Sequence, residues 1–463
     1  MIIAFAPMEI ATGDSGGYFY IINYKFFTMK RHLLFLLLFI SSFAYAQKEM
    51  PRSNFDFMES IGICTHFSYN SQPYVQRFDT LSQLLGDLGI RYIRDRAVAD
   101  TDLGRKNIMH LYDTYGIKTI AVFPWHKPFK SFEEVSEKID GLAPYLDAIV
   151  AIEGANENDA QAKGPNEPAN WADDTQKHQK FLFNKIKQHP NQRIANMPVI
   201  APSPTFPNRV VWMGPMTDKS DHYNIHSYHG TNKPEAEDSN LRKYMVKVNE
   251  ANPNDPHANQ NVWATEAGYH NEIGYVAKNP NGIHEQSEAY YLPRLLCHYF
   301  NFGIKRTYIY ELVDHADHNP NGGQDDFGIV RYDMSKTPTY LALQNMIKIL
   351  DEKEQTNALT ALDYSIDGAD GDTYHTLLQK KDGTHYLLIW NAGTNYDFDS
   401  RSFVEGKHKK ISIQFNGKSK DINLYNPLVS DQPSDTKTQS KSYKLTLKDH
   451  IQILEIKPSE VNL

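Results

Sequence analysis

Two glutamates stand where they could share one reaction. Glu266 follows Val262-Trp263-Ala264-Thr265, and Glu157 follows Ala148-Ile149-Val150-Ala151-Ile152-Glu153-Gly154-Ala155-Asn156. Both runs read as buried strands ending on a carboxylate. If the two strands belong to one parallel barrel, their C-terminal tips open on the same site. A carboxyl on each side of a glycosidic bond can then act as a pair, one as acid and later base, the other as nucleophile. A rival to Glu157 lies nearby in Asn166-Glu167-Pro168, but Glu157 directly follows the apolar run whereas Glu167 comes after a Gly/Pro-containing loop. Glu153, four residues before Glu157, points deeper into such a barrel and suits a structural ion pair with Arg94.

The elements that must hold this pair alternate along the chain. Strands are expected at Ile61 to Phe67, Ile90 to Asp95, Ile117 to Pro124, Ala148 to Ala155, Pro198 to Ser203, Asp221 to Ser227, Asn261 to Glu266 and Lys305 to Tyr310. Amphipathic stretches separate them. In Phe78 to Gly89, for example, Phe78, Leu81, Leu84, Leu85 and Leu88 form one apolar face and Gly89 stops the helix. Eight such units predict a (β/α)8 TIM barrel over residues 51–354. From residue 355 to 460 the pattern alternates with period two, as at Tyr386-Leu387-Leu388-Ile389-Trp390-Asn391 and Ile411-Ser412-Ile413-Gln414-Phe415, which predicts a small antiparallel β-sandwich domain. Within it Asp431 to Ser442 has no apolar residue and reads as an exposed loop, and Trp390 reads as sandwich core.

The barrel tips carry the polar residues. They are Thr65-His66, Arg94-Asp95, Trp125-His126, Asn156-Glu157, His226-Ser227-Tyr228-His229, Glu266 and Tyr310-Glu311. Taken in this order, with Glu-Gly-x-Asn-Glu after strand four, His-x-Tyr after strand six and Glu after strand seven, the segment from about residue 60 to 350 resembles a clan A retaining glycoside hydrolase. The resemblance implies that Glu266 is the nucleophile and Glu157 the acid/base. It implies too that Asn156 offers its amide to the sugar 2-hydroxyl and that Tyr228 or His226 hydrogen-bonds Glu266. Arg94 would add positive charge beside the nucleophile. The proline of Asn166-Glu167-Pro168 matches the usual motif of such enzymes better than Asn158 does, so the choice of Glu157 rests on the strand.

Other tip residues have two readings. His66, Trp125 and His126 could line a sugar subsite or pack in the core, and Tyr310 and Glu311 end the eighth strand in a supporting position. Trp171 and Trp212 suit either glycan platforms or helix packing. Asp314 to Asp326 is rich in oxygen ligands but lacks the spacing of a calcium loop, and reads as a solvated lid. No zinc spacing and no His-x-His after the first strand occur, so neither a metal nor another cofactor is implied. A carbohydrate-binding protein on an inactive barrel is the alternative, disfavoured because both carboxylates are retained.

Composition is that of a globular protein, and the resemblance implies a poly- or oligosaccharide as its substrate. The 463 residues are 40% hydrophobic and 22% charged with a formal charge of −8, which provides no basic surface for nucleic acid or anionic lipid. Met29-Lys30-Arg31-His32, the apolar run Leu33 to Ile40 and Ala44-Tyr45-Ala46 predict a signal peptide over 29–46, after a 28-residue extension without fold signal. The mature chain is therefore expected to be secreted or periplasmic, with no membrane insertion once the leader is cleaved. Cys64 and Cys297, far apart in the sequence, are expected to be buried free thiols.

Overall fold

The computed structural model describes residues 47–68, 73–123, 131–160, 170–271, 282–316, 325–356, 358–417 and 420–457. The leader and the extension before it lie outside the described residues, as do Trp125, His126 and Glu167.

Eight parallel strands form the barrel: Ile61–Cys64, Tyr92–Asp95, Lys118–Val122, Ile149–Glu153, Val199–Ile200, Tyr223–His226, Val262–Ala267 and Thr307–Ile309. Their order is 5-4-3-2-1-8-7-6, with each neighbouring pair parallel. A single bridge between Ile200 and His222 joins the fifth strand to the sixth and completes the ring. Each strand is followed by helix, the first by Phe78–Leu88 and the last by Pro338–Leu350. Gly89 ends the first of these with φ 78°, a left-handed value that a side chain would disfavour.

Cys64, Tyr92, Ile120, Val122, Ala151, Ile200, Trp263 and Tyr308 fill the barrel interior. A larger apolar layer packs the outer faces of the strands against the helices. Both cysteines are free and buried. The barrel interior is thus filled at its lower end and opens at the C-terminal tips.

The antiparallel part has two main sheets and a two-stranded ribbon of Tyr396–Asp397 with Ser402–Phe403. One is ordered Gln47–Glu49, Leu362–Asp367, Lys409–Phe415, Ser442–Leu447; the other is ordered Pro433–Ser440, Lys420–Tyr425, Gln452–Lys457, His385–Asn391, Thr373–Gln379, Arg52–Ser53. Leu387, Ile389 and Leu454 of the second sheet meet Tyr364, Ile413 and Tyr443 of the first in a separate core. The segment preceding the barrel contributes an edge strand to each sheet.

Two expectations are corrected here. Residues Pro433–Ser440 are not a loop but an edge strand paired with Lys420–Tyr425. Their side chains are mostly exposed, so backbone hydrogen bonds hold the strand and no apolar alternation marks it in the sequence. Trp390 is fully buried, but it belongs to the layer between sheet and barrel. Along its strand Tyr386, Leu388 and Trp390 turn to the barrel while Leu387 and Ile389 turn to the sandwich interior.

Candidate active site

Arg94 is the hub of the site. Nε and Nη2 of this second-strand residue donate to Glu153 at 2.8 and 2.7 Å, Nη1 donates to Glu266 Oε1 at 2.6 Å, and Nη2 also reaches Asn156 Oδ1 at 2.6 Å. Glu153, completely buried on the fourth strand, accepts further from Asn224 Nδ2 at 3.2 Å. It therefore serves as the ion partner expected for it, and its charge is spent on holding the guanidinium. With its oxygen taken by Arg94, Asn156 keeps its amide NH2 as the group it can offer to a ligand.

Glu266 is held on both oxygens. Besides Arg94 on Oε1, the Tyr228 hydroxyl donates to Oε2 at 2.6 Å, and His226 Nδ1 stands 3.4 Å from the same atom. Burial by itself pushes this carboxyl up, but His226, Arg94 and the Tyr228 hydrogen bond outweigh it and leave Glu266 below the ordinary carboxylate range. It is poised as an anion. At the next residues Gly268 lets the chain pass under the Tyr310 carbonyl, where an added Cβ would come within 2.4 Å of that oxygen.

Glu157 is set differently. Its backbone has φ 45°, a left-handed conformation rare for a side-chain-bearing residue, and its N–H donates to Ser203 O at 3.1 Å. This turns the chain off the fourth strand and against the fifth. Its side chain is 28% exposed and touches His226 Nδ1 at 2.8 Å. The other imidazole nitrogen lies 3.1 Å from Thr265 Oγ1. Burial disfavours the charged imidazole, yet Glu266 and Glu157 together raise its pKa above the usual value. Period two explains the placement: Asn224 and His226 are alternate residues of the sixth strand and face the same side.

Oxygen atoms of Glu157 and Glu266 lie within 4.8 Å of each other, in a cavity of about 620 Å³ that Arg94, His226, Tyr228 and Tyr310 also line. His66 borders this cavity and has Nε2 3.3 Å from Glu311 Oε2. Glu311 itself is fully buried below and accepts from Tyr74 and His315, each at 2.9 Å. It braces His66 and does not reach the cavity. Tyr310 meets His66, Tyr228 and Phe327 edge-on, forming an aromatic wall. Asp95 lies buried with its carboxylate bound to Thr65 and to the Phe67 and Ala97 amides; burial pushes its pKa up to about 6 against those hydrogen bonds.

Two triads have the spacing of divalent-metal ligands, Glu157/His226/Glu266 and His66/Glu311/His315. In each a histidine nitrogen already sits at hydrogen-bonding distance from the carboxylate. Trp171 is a packing residue, 6% exposed in the barrel core, whereas Trp212 is 37% exposed. Thr265, Asn224 and Phe206 were not apparent as site residues from sequence. The first two lie inside strands where polar residues are scarce, which was the available signal; Phe206 sits in a loop that carries none.

No protein-family model and no curated protein sequence matches the chain. Solved structures do. A family 39 glycoside hydrolase from the gut symbiont Bacteroides cellulosilyticus WH2 superposes with TM-score 0.59 at 16% identity, covering 87% of this chain and 82% of that one. A family 39 enzyme from Xanthomonas axonopodis pv. citri gives 0.56 at 12% identity over 89% and 96% of the two chains. A glucosidase from Croceicoccus marinus gives 0.52 at 9% identity over 90% and 97%. At such identities the likeness is one of fold, and the barrel with its accompanying sheets is a fold that glycoside hydrolases carry.

Proposed function

We propose that this protein is a retaining O-glycoside hydrolase acting on a poly- or oligosaccharide. The observation that carries the reading is the separation of Glu157 and Glu266, whose oxygens approach within 4.8 Å across one pocket. Retaining enzymes place their carboxyls about 5–5.5 Å apart, whereas inverting ones leave about 6.5–9.5 Å for a water.

The division of labour follows from the surroundings. Glu266, held anionic by Arg94 and Tyr228, attacks the anomeric carbon as the bond to the leaving oxygen breaks. Glu157 gives that oxygen its proton. Once Glu266 is esterified its charge is gone, and Glu157, now a carboxylate, takes a proton from the water that attacks the same carbon and releases Glu266. Asn156 offers its amide to the 2-hydroxyl, a contact that strengthens as charge develops on the ring. His66 and Tyr310 border the sugar from the first and eighth strands.

Export belongs to the same reading. The leader 29–46 directs secretion with cleavage after Ala46, and no described helix is long and apolar enough to cross a membrane. Mass spectrometry of the exported chain should show Gln47 at its N-terminus; retention of Leu33 to Ile40 would rule this out.

The test of the reaction is a panel of 4-nitrophenyl β-glycosides of glucose, xylose and galactose, followed by the matching 2-deoxy-2-fluoro glycoside with a good leaving group. A covalent adduct on the peptide holding Glu266, and a first product of unchanged anomeric configuration, are the expected results. Turnover with inverted product would refute double displacement.

A further inference from the structure

The acid/base tip and the tip of the fifth strand are tied together. Asn156 bridges Ser203, and the Glu157 N–H donates to the Ser203 carbonyl at 3.1 Å. An acid that protonates the leaving oxygen stands on the leaving group's side of the bond. The departing half of a substrate therefore lies toward the chain that follows Ser203. Three residues on, Phe206 precedes the helix Pro207–Met213.

Phe206 borders two cavities at once. One is the catalytic pocket; the other is a groove of about 630 Å³ between Pro207–Met213 and the helix Asn240–Ala251. Lys243 and Asn240 also border both, so the groove continues the pocket outward. Phe206, Trp212 and Val246 are 57%, 37% and 62% exposed, and all three line the groove. Single exposed apolar side chains are ordinary, but three gathered on one groove that opens into a polar pocket mark a binding surface.

The Phe206 ring is held in place. The Arg209 guanidinium lies 4.7 Å from the Phe206 ring centre and pairs at 3.0 Å with Asp159, itself 1% exposed. Asp159 Oδ2 also accepts from the Thr205 hydroxyl at 2.6 Å. Since Asp159 is two residues from Glu157, one buried ion pair fixes the aromatic ring relative to the acid.

Charge indicates the ligand. Arg209 is matched by Asp159 and Lys247 by Glu250, which leaves Arg242 and Lys243 against Glu237 and Asp238 in the groove lining. The balance is neutral. Aromatic faces among balanced hydrogen-bonding groups suit uncharged pyranose rings. We infer that this groove binds the leaving-side sugar units of a neutral oligosaccharide, so that the substrate is a chain and not a glycoside of a small alcohol. The inference rests on the glycosidase reading and adds to it the groove that holds the leaving-side units and their lack of charge.

The experiment takes whichever of the glucose, xylose or galactose 4-nitrophenyl β-glycosides is turned over and measures kcat/KM on the β-linked di- and hexasaccharide of that sugar. The ratio of hexa- to disaccharide is independent of the fraction of folded enzyme. It should be well above one in the native protein and fall about tenfold in Trp212→Ala, the worth of one aromatic contact, chiefly through KM. Val429→Ala, in an exposed turn after the strand Lys420–Tyr425 that lines neither cavity, should leave the ratio as it was. An equal ratio in native protein and Trp212→Ala overturns the groove proposal and spares the glycosidase. The same holds if Trp212→Ala only dissociates a dimer in sedimentation, which would assign the patch to a second copy. Turnover of none of the three aryl glycosides removes both readings together.

Discussion

His226 Nδ1 stands 2.8 Å from Glu157 Oε1 and 3.4 Å from Glu266 Oε2, so a single imidazole touches both members of the carboxylate pair. The fourth and seventh strands, which the fifth and sixth separate, are thereby linked through a residue of the sixth. The partners of the two carboxyls differ otherwise. Glu266 has Arg94 and Tyr228 and is buried, while Glu157 has His226 and faces the cavity. That asymmetry holds Glu266 as an anion and leaves Glu157 open to a ligand in the cavity.

Replacing Glu157 separates the two steps. Glu157→Ala should slow natural glycosides by about 10²–10⁴-fold, the usual contribution of a positioned acid/base. Cleavage of the first bond in an activated aryl glycoside, whose leaving group needs little protonation, should survive. Azide should then restore turnover by attacking the glycosyl-enzyme. Glu266→Ala should abolish both steps. Glu167→Ala should remain close to wild type; if that variant carries the leaving-group-dependent defect, the acid/base is Glu167.

On the proposed mechanism the acidic limb of the pH profile reports Glu266. Glu266 lies below the ordinary carboxylate value in the folded protein, so its ionised state persists at a pH where a free glutamate, near about 4.3, is half protonated. A group depressed in this way adds stability above its unfolded pKa, and that stability disappears as pH falls through the folded value. Tyr228→Phe removes one hydrogen bond that favours the anion. The acidic limb of kcat/KM on an aryl glycoside should move upward in that variant, and an unmoved limb would mean that Glu266 does not set it.

Much of this arrangement was legible in the sequence because parallel strands buried on both faces are written as apolar runs, and all eight expected positions hold strands. The two glutamates were visible for the same reason, each ending such a run. What escaped lacks a pattern of its own. Gln47–Glu49 and Arg52–Ser53 are too short to display a period, and Pro433–Ser440 is polar on both faces. The alternation around Trp390 gives burial but not the partner, which is decided by how sheet and barrel meet. His226 was assigned to Glu266 alone, since sequence order does not show that the fourth and seventh tips approach from both sides of the sixth.

A buried ion pair of the barrel sits against the sheet, and its loss should be measurable. Arg294, on the helix Glu285–Phe302, meets Glu235 through Nε at 2.9 Å, and the Trp390 indole N–H donates to the same carboxylate at 2.7 Å. Its Nη1 also reaches the carbonyls of Gly393 and Asp449 at 3.1 and 3.0 Å. Both charged groups are almost completely out of solvent. Glu235→Ala leaves the Arg294 charge without its counter-ion and its Nε and the indole N–H without their acceptor, and should cost about 3–5 kcal/mol in chemical denaturation. A loss below about 1 kcal/mol would show that the pair is not needed to hold the two parts together.

Arg94 ties stability to chemistry, and the two can be separated. Its fork satisfies the fully buried Glu153 while Nη1 faces Glu266, a geometry that one ammonium cannot reproduce. Arg94→Lys should therefore lower both the melting temperature and kcat/KM, the second by loss of the donor that fixes the nucleophile. Glu153→Gln keeps the shape and removes one charge from beneath the guanidinium, leaving Arg94 with Glu266 as its remaining charged partner. In that variant the stronger hold on Glu266 should move the acidic limb of kcat/KM downward, opposite to Tyr228→Phe. If Glu153→Gln and Tyr228→Phe moved the limb the same way, Arg94 would act on Glu266 through packing alone, and electrostatic coupling of Glu153 to Glu266 through Arg94 would be discarded.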